Sequence, residues 1–194
     1  MSDHMKRYCL PITLIFIAGM LRVARHFGFL DLPPNFAPIT AVALFAGSIF
    51  YKEKFLSILI PIAAMVISDF FIGFYHLGIL LSVYGSFVVA VMLGWWAGKR
   101  GTVQPVRIVG SVCASSFIFY IVTNAAVWWF GTMYPHTGSG LMQSYFMALP
   151  FFKWSLASDM FYTAVLFSAY ALAVFLKNRG VLLMQRLFLW RTKM

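Results

Sequence analysis

The feature that most limits what this chain can become is the length of its apolar runs. Six of them recur along the sequence, at roughly 8–27, 35–51, 55–74, 78–98, 107–130 and 154–176. They match the ~17–25 residues that carry an α-helix across about 30 Å of hydrocarbon. Backbone inside lipid must satisfy its own hydrogen bonds, which leaves helices and closed barrels as spanning structures. Barrel strands alternate apolar with polar residues, whereas these runs are continuously apolar. An all-α membrane protein follows, and the composition agrees: 62% hydrophobic and 10% charged residues, with a mean hydropathy of +0.85. The connections are too short for a separate soluble domain. The expected architecture is one six-helix transmembrane bundle over 1–176, followed by a basic tail at 177–194.

A net charge of +10 would suit nucleic acid, but the lysines and arginines lie in short clusters between the spans, as a positive-inside signal does. Lys6 and Arg7, then Lys52 and Lys54, then Lys99, Arg100 and Arg107, and the basic residues after 176, mark cytoplasmic segments. The connections at 75–77 and 131–152 hold neither Lys nor Arg, so they belong outside, and both termini are expected in the cytoplasm. Lys6 and Arg7 ahead of an apolar stretch also suit a signal peptide. The stretch ends in "LRVARHFG", where Arg22 and Arg25 make a poor cleavage site, so the first helix is expected to be retained. Trp95 and Trp96 fit an inner aromatic belt; Trp128, Trp129 and Trp154 fit an outer one. The tail "KNRGVLLMQRLFLWRTKM" mixes basic residues with Leu, Phe and Trp, as an interfacial helix on the inner leaflet does; a docking surface for a partner is the alternative. Cys9 and Cys113 stand too far apart along the bundle to suggest a disulfide and form no metal motif.

Two of the five acidic residues sit in sequence otherwise fit for lipid, in "VISDFFIG" at 66–73 and "LASDMFYT" at 156–163. At about 1.5 Å of rise per residue, Asp69 in an outward-running helix 3 and Asp159 in an inward-running helix 6 fall at one depth in the outer half. Arg22, Asn35, Ser82, Tyr84 and Asn124 share that level, so every helix delivers a polar side chain to it. Asn35 to Asp69 and Asn124 to Asp159 have nearly equal spacings, but inverted three-helix repeats would place equivalent residues at opposite depths. The match expresses convergence on one layer. Unpaired charge in lipid is expensive, so both aspartates are expected to face Arg22, Arg25 or Lys153.

Two interpretations of that layer stay open: helix-to-helix pairs that fix packing, or a polar cavity open to the outside. For the cavity, the candidate binding residues are Arg22, Arg25, Asn35, Asp69, His76, Tyr84, Asn124, Trp128, Tyr134, His136, Lys153 and Asp159. The cations would attract a polar or anionic solute, Tyr84, Trp128 and Tyr134 would cover its apolar part, and Asp69, Asn124 and Asp159 would fix it by hydrogen bonds. His26, His76 and His136 all fall on the outer side and could protonate, bind metal or contact a ligand. Residues 131–153 are expected as an interfacial lid, with Pro150 limiting continuity into helix 6. Pro33, Pro34 and Pro38 stiffen the approach to helix 2, where Ala37, Ala41, Ala43 and Gly47 recur at close-packing intervals. The chain carries no Walker motif, HExxH, GxSxG or redox CxxC; no nucleophile or cofactor is assigned, and metal use is undetermined.

The stretches "PPNFAPITAVALFAG", "SDFFIGFYHLGILLSVYGSF", "TNAAVWWFGTMYPHTGSGLMQSYFMALPFF" and "SDMFYTAVLF" cover most of residues 33–167 and resemble the bacterial inner-membrane family DUF6580. That family is similar in turn to the substrate-binding S components of energy-coupling-factor (ECF) vitamin transporters, including solitary cobalamin carriers. The resemblance implies a six-helix S-component fold, capture of a vitamin or related compound between the outer loops and helix ends, and transport by toppling of the bundle, alone or with an ATPase module. The first helix lacks the Ala-x-x-x-Ala pattern by which group S components meet their membrane partner, although Ala37 and Ala41 have that spacing. Neither Cys9 nor Cys113 can supply the cysteine that solitary cobalamin carriers present near the site. The expected function is therefore uptake of a small vitamin-like or polar substrate across the bacterial inner membrane. The expected partners are the bilayer, the substrate and an optional energising module, with no nucleic acid. A membrane-embedded enzyme using the Asp/His cluster and a structural assembly subunit are the alternatives.

Overall fold

A computed structural model describes residues 3–33, 35–74, 76–98 and 104–191. Pro34, Lys99, Arg100 and the last three residues of the basic tail lie outside them, as do the side chains of Lys6, Arg7 and residues 180–191. Among the described residues every regular element is an α-helix: α1 (Asp3–His26), α2 (Ile39–Ile49), α3 (Lys54–Ile72), α4 (Leu77–Gly98), α5 (Pro105–Phe130) and α6 (Gly138–Arg191). Five of them, all but α2, are long and apolar enough to cross a membrane. The chain is a multi-pass helical membrane protein.

The second expected span, 35–51, is corrected: α2 has only 11 residues, about 16 Å of helix against a hydrocarbon core of about 30 Å. Prolines restrict both their own φ and the residue before them, and Pro33 and Pro38 keep the chain non-helical up to Ile39. At the other end the Phe50 N–H closes the last turn on the Ala46 carbonyl. So short a helix is tolerated at membrane depth because protein surrounds it. Every residue from Thr40 to Ser48 is buried, and α2 touches all five other helices. The long helices form a ring around it in the order α1, α3, α4, α5, α6.

The tightest seam in the bundle joins α2 to α4, as the small residues of α2 lead one to expect. A Cβ on Gly47 would stand 2.2 Å from the Val91 carbonyl oxygen, and one on Gly94 would stand 2.4 Å from that of Leu44. Gly94 and Gly98 are four apart on α4, so the backbones meet along a small-residue stripe. The Ser48 hydroxyl donates across it to the Gly94 carbonyl at 3.2 Å. Ala41 and Ala43 are buried on either side.

The separate lid, helix 6 and tail are also corrected: one helix of 54 residues runs from Gly138 to Arg191, through Pro150. Pro150 removes one backbone donor, a defect that membrane helices survive when neighbours hold the segment in place. Here α5 holds it. The Tyr120 hydroxyl donates to the Tyr145 carbonyl at 2.7 Å, the Tyr145 hydroxyl donates to the Ile121 carbonyl at 3.1 Å, and the Tyr120 and Phe152 rings lie 4.8 Å apart. At its start the Thr137 hydroxyl accepts from the Gly140 N–H at 3.2 Å, an N-cap bond.

The two ends of the bundle differ. At one, Lys54 lies over the Trp95 ring, Arg107 lies over the Trp96 ring, and the Trp95 indole donates to the Ser57 hydroxyl at 2.8 Å. The other end carries the polar layer. There α1 stops in a Schellman turn, with Gly28 at φ 76° and bonds from the Gly28 N–H to the Arg25 carbonyl and from the Phe29 N–H to the Ala24 carbonyl. That turn presents Arg22, Arg25 and His26 beside the approach to α2.

Candidate functional site

Each Ser-Asp pair ties three elements together. In α3, Asp69 is fully buried, and its Oδ1 lies 2.5 Å from Arg22 Nη1 of α1. The Tyr84 hydroxyl of α4 donates to Oδ2 at 2.6 Å, and Arg22 Nη1 also donates to Ser68 Oγ at 2.5 Å. The charge on Asp69 is thus met inside the protein, as burial of a carboxylate requires. In α6, the Ser158 hydroxyl donates to the Ala37 carbonyl at 2.9 Å, just before α2 begins. Asp159 accepts from the Ser116 hydroxyl of α5 at 2.7 Å, and also from the Thr40 hydroxyl and the N–H groups of Thr40 and Ala41. The first N–H groups of a helix have no partner within it and carry the positive end of its dipole. Asp159 therefore caps α2 from a neighbouring helix. No cation stands within ion-pair distance of it among the described residues, so the expected partnership with Arg25 or Lys153 is corrected; the hydroxyls and the α2 N-terminus take their place.

Beside these clasps lies a cavity of ≈ 240 Å³. Arg22, Arg25 and His26 of α1, Asn35 and Ala37 before α2, Ile39 and Thr40 in its first turn, Ile72 of α3, Phe119 of α5 and Ser155 and Asp159 of α6 line it. His26 and Asn35 are exposed, which opens it to the surface. A second chamber of ≈ 120 Å³ adjoins, sharing Asn35, Phe119 and Ser155 and adding Ser116, Tyr120, Thr123, Asn124, Ala148, Phe151 and Phe152. Arg25 donates from Nη2 to the Pro33 carbonyl at 2.9 Å, while its Nε is buried without a partner. Asn35 is held at φ 61°, a left-handed conformation that asparagine tolerates better than most residues.

Of the residues singled out in the sequence, Arg22, Arg25, Asn35, Asn124 and Asp159 line these chambers. Asp69 and Tyr84 sit one layer away, on the other side of Arg22. The remaining five stand elsewhere. His76 caps α4, accepting the Gly78 N–H at Nδ1 at 3.2 Å, and stacks on Phe130. Trp128 donates to the Pro135 carbonyl at 2.9 Å and meets His136 edge-on, closing the 131–137 turn that also contains Tyr134. Lys153 is exposed with its amine over the Trp154 ring. Thr40, Ser116, Phe119, Tyr120, Phe152 and Ser155 were missed. Serine, threonine and phenylalanine are ordinary in apolar helices, and only the helix faces seen in three dimensions distinguish these. Among the described residues no three His, Cys, Asp or Glu side chains gather as a metal set.

A family described as "Family of unknown function (DUF6580)" matches residues 2–181, and the chain belongs to it. No curated protein and no solved structure matches the chain.

Proposed function

We propose that this DUF6580 protein is an uptake protein of the bacterial inner membrane that receives a small vitamin-like or polar solute in an outward-facing cavity. The observation that carries this reading is the ≈ 240 Å³ polar cavity, open through His26 and Asn35, to which α1, α2, α3, α5 and α6 all contribute. Lys54 and Arg107 gather at the opposite end with Trp95 and Trp96. By the positive-inside rule that end faces the cytoplasm, with both termini, and the cavity faces out. On this reading the bundle works as an S component does, rocking to carry its solute inward, alone or with an energising ATPase module. Uptake of labelled vitamins by auxotrophs expressing the chain, with and without such a module, tests it. Accumulation of one candidate, lost in Arg25→Gln, is the expected result; no accumulation of any candidate under either condition contradicts it.

A second reading, a structural assembly subunit, has an observation of its own: Asp69 and Asp159 are fully engaged within the protein. It wins if the unsubstituted chain takes up no candidate above the level of cells lacking the protein, while substitutions at Arg22, Asp69 and Asp159 lower its thermal stability.

A further inference from the structure

The two chambers differ in charge: Arg22, Arg25 and Asp159 line the first, and among the described residues no charged side chain lines the second. Arg22 has its counter-charge in Asp69, and Asp159 gives its oxygens to Ser116, Thr40 and the start of α2. Arg25 has no carboxylate within ion-pair distance among the described residues; a carbonyl is its hydrogen-bond partner and its Nε has none. A half-buried guanidinium with an N–H left without a partner is costly until an acceptor, best of all an anion, joins it. Beside it stand His26 and the Asn35 amide, both able to donate to an acid group. The adjoining chamber is faced by aromatic rings, with Tyr120 and Phe152 4.8 Å apart, together with the uncharged polar groups of Ser116, Thr123 and Asn124. At ≈ 120 Å³ it approaches the ~150 Å³ that admits one benzene ring. Each chamber is smaller than the ~300–1,000 Å³ pockets of drug-sized ligands.

We infer that the solute is a small organic anion built on one flat ring, with its acid group beside Arg25, His26 and Asn35 and its ring against Phe119, Tyr120 and Phe152. This inference rests on the cavity being a binding site, as proposed above, and not on transport. Calorimetric titration of the full chain in nanodiscs with benzoate, benzamide, benzylamine and acetate tests it. Benzoate is expected to bind about tenfold or more tighter than the neutral, cationic and ring-free probes. Arg25→Lys should keep that order, Arg25→Gln should erase the difference between benzoate and benzamide, and Phe152→Ala should weaken benzoate but not acetate. The inference is overturned if benzamide or benzylamine binds as well as benzoate, if none of the four binds, or if the acid preference survives in an Arg25→Gln protein whose thermal unfolding shows it folded. Failure of uptake in cells with the benzoate preference intact removes transport and leaves the ligand class. Uptake of a cationic or ring-free solute removes the class and leaves transport.

Discussion

At the scale of single residues, the aspartates act through what they hold. Removing one member of a buried pair leaves the other charge stranded, at about 3–5 kcal/mol, whereas replacing both with apolar groups is often neutral. Asp69→Asn should therefore lower unfolding free energy in mixed micelles by about that amount, and Asp69→Leu combined with Arg22→Met should recover most of it. A double variant no more stable than Asp69→Asn would show that the pair itself is not what fails. Asp159→Ala should cost about 1–3 kcal/mol, the penalty of leaving buried donors of α2 unmet, and amide exchange at Thr40 and Ala41 should quicken relative to the rest of α2. The common depth of Asp69, Asp159, Arg22, Asn35 and Asn124 was legible because rise per residue and charge bias suffice to place them. The partners were not. Whether Asp159 meets Arg25 or the first turn of α2 depends on where that turn begins, which is a tertiary matter.

At the scale of elements, α2 is the piece that sequence periodicity misjudges and packing explains. An apolar stretch from Asn35 to Tyr51 has the length of a short span, yet proline chemistry around Pro38 delays the helix and leaves 11 residues, which only a ring of other helices can shelter. Its seam with α4 gives a sharp contrast. Gly47→Ala would drive a Cβ to 2.2 Å from the Val91 carbonyl, forcing two backbones apart at about 1–3 kcal/mol. Gly85→Ala, in α4 with nothing within 4 Å of its Cβ, should be neutral or stabilise by up to ~1 kcal/mol. Equal losses at both sites, measured by thermal unfolding in detergent, would contradict close α2–α4 packing. The long α6 carries the same lesson: Pro150 looks like a boundary in the sequence, but the aromatic contacts of Tyr145 and Phe152 with Tyr120 carry the helix past it.

At the scale of the whole molecule, five long helices enclose one short helix, and the N-terminal end of that short helix lies beside a cavity that opens at one end of the bundle. Amphipathic belts mark the opposite end, where Lys54 and Arg107 lie over tryptophans. The membrane class and the polar end were legible because apolar length and charge placement act locally, and Arg22, Arg25, Asn35, Asn124 and Asp159 of the cavity lining with them; the rest of the lining was not, because Ser155, Thr40 and Phe119 converge only when α2, α5 and α6 pack. Uptake through this cavity requires that it face the outside of the cell. Ser155→Cys, in a background where the exposed Cys9 and Cys113 are replaced by serine, measures that directly in intact cells with a membrane-impermeant thiol reagent. Labelling from outside, slowed by benzoate and not by benzylamine, is the expected result. Labelling confined to inside-out vesicles would contradict an outward-facing cavity.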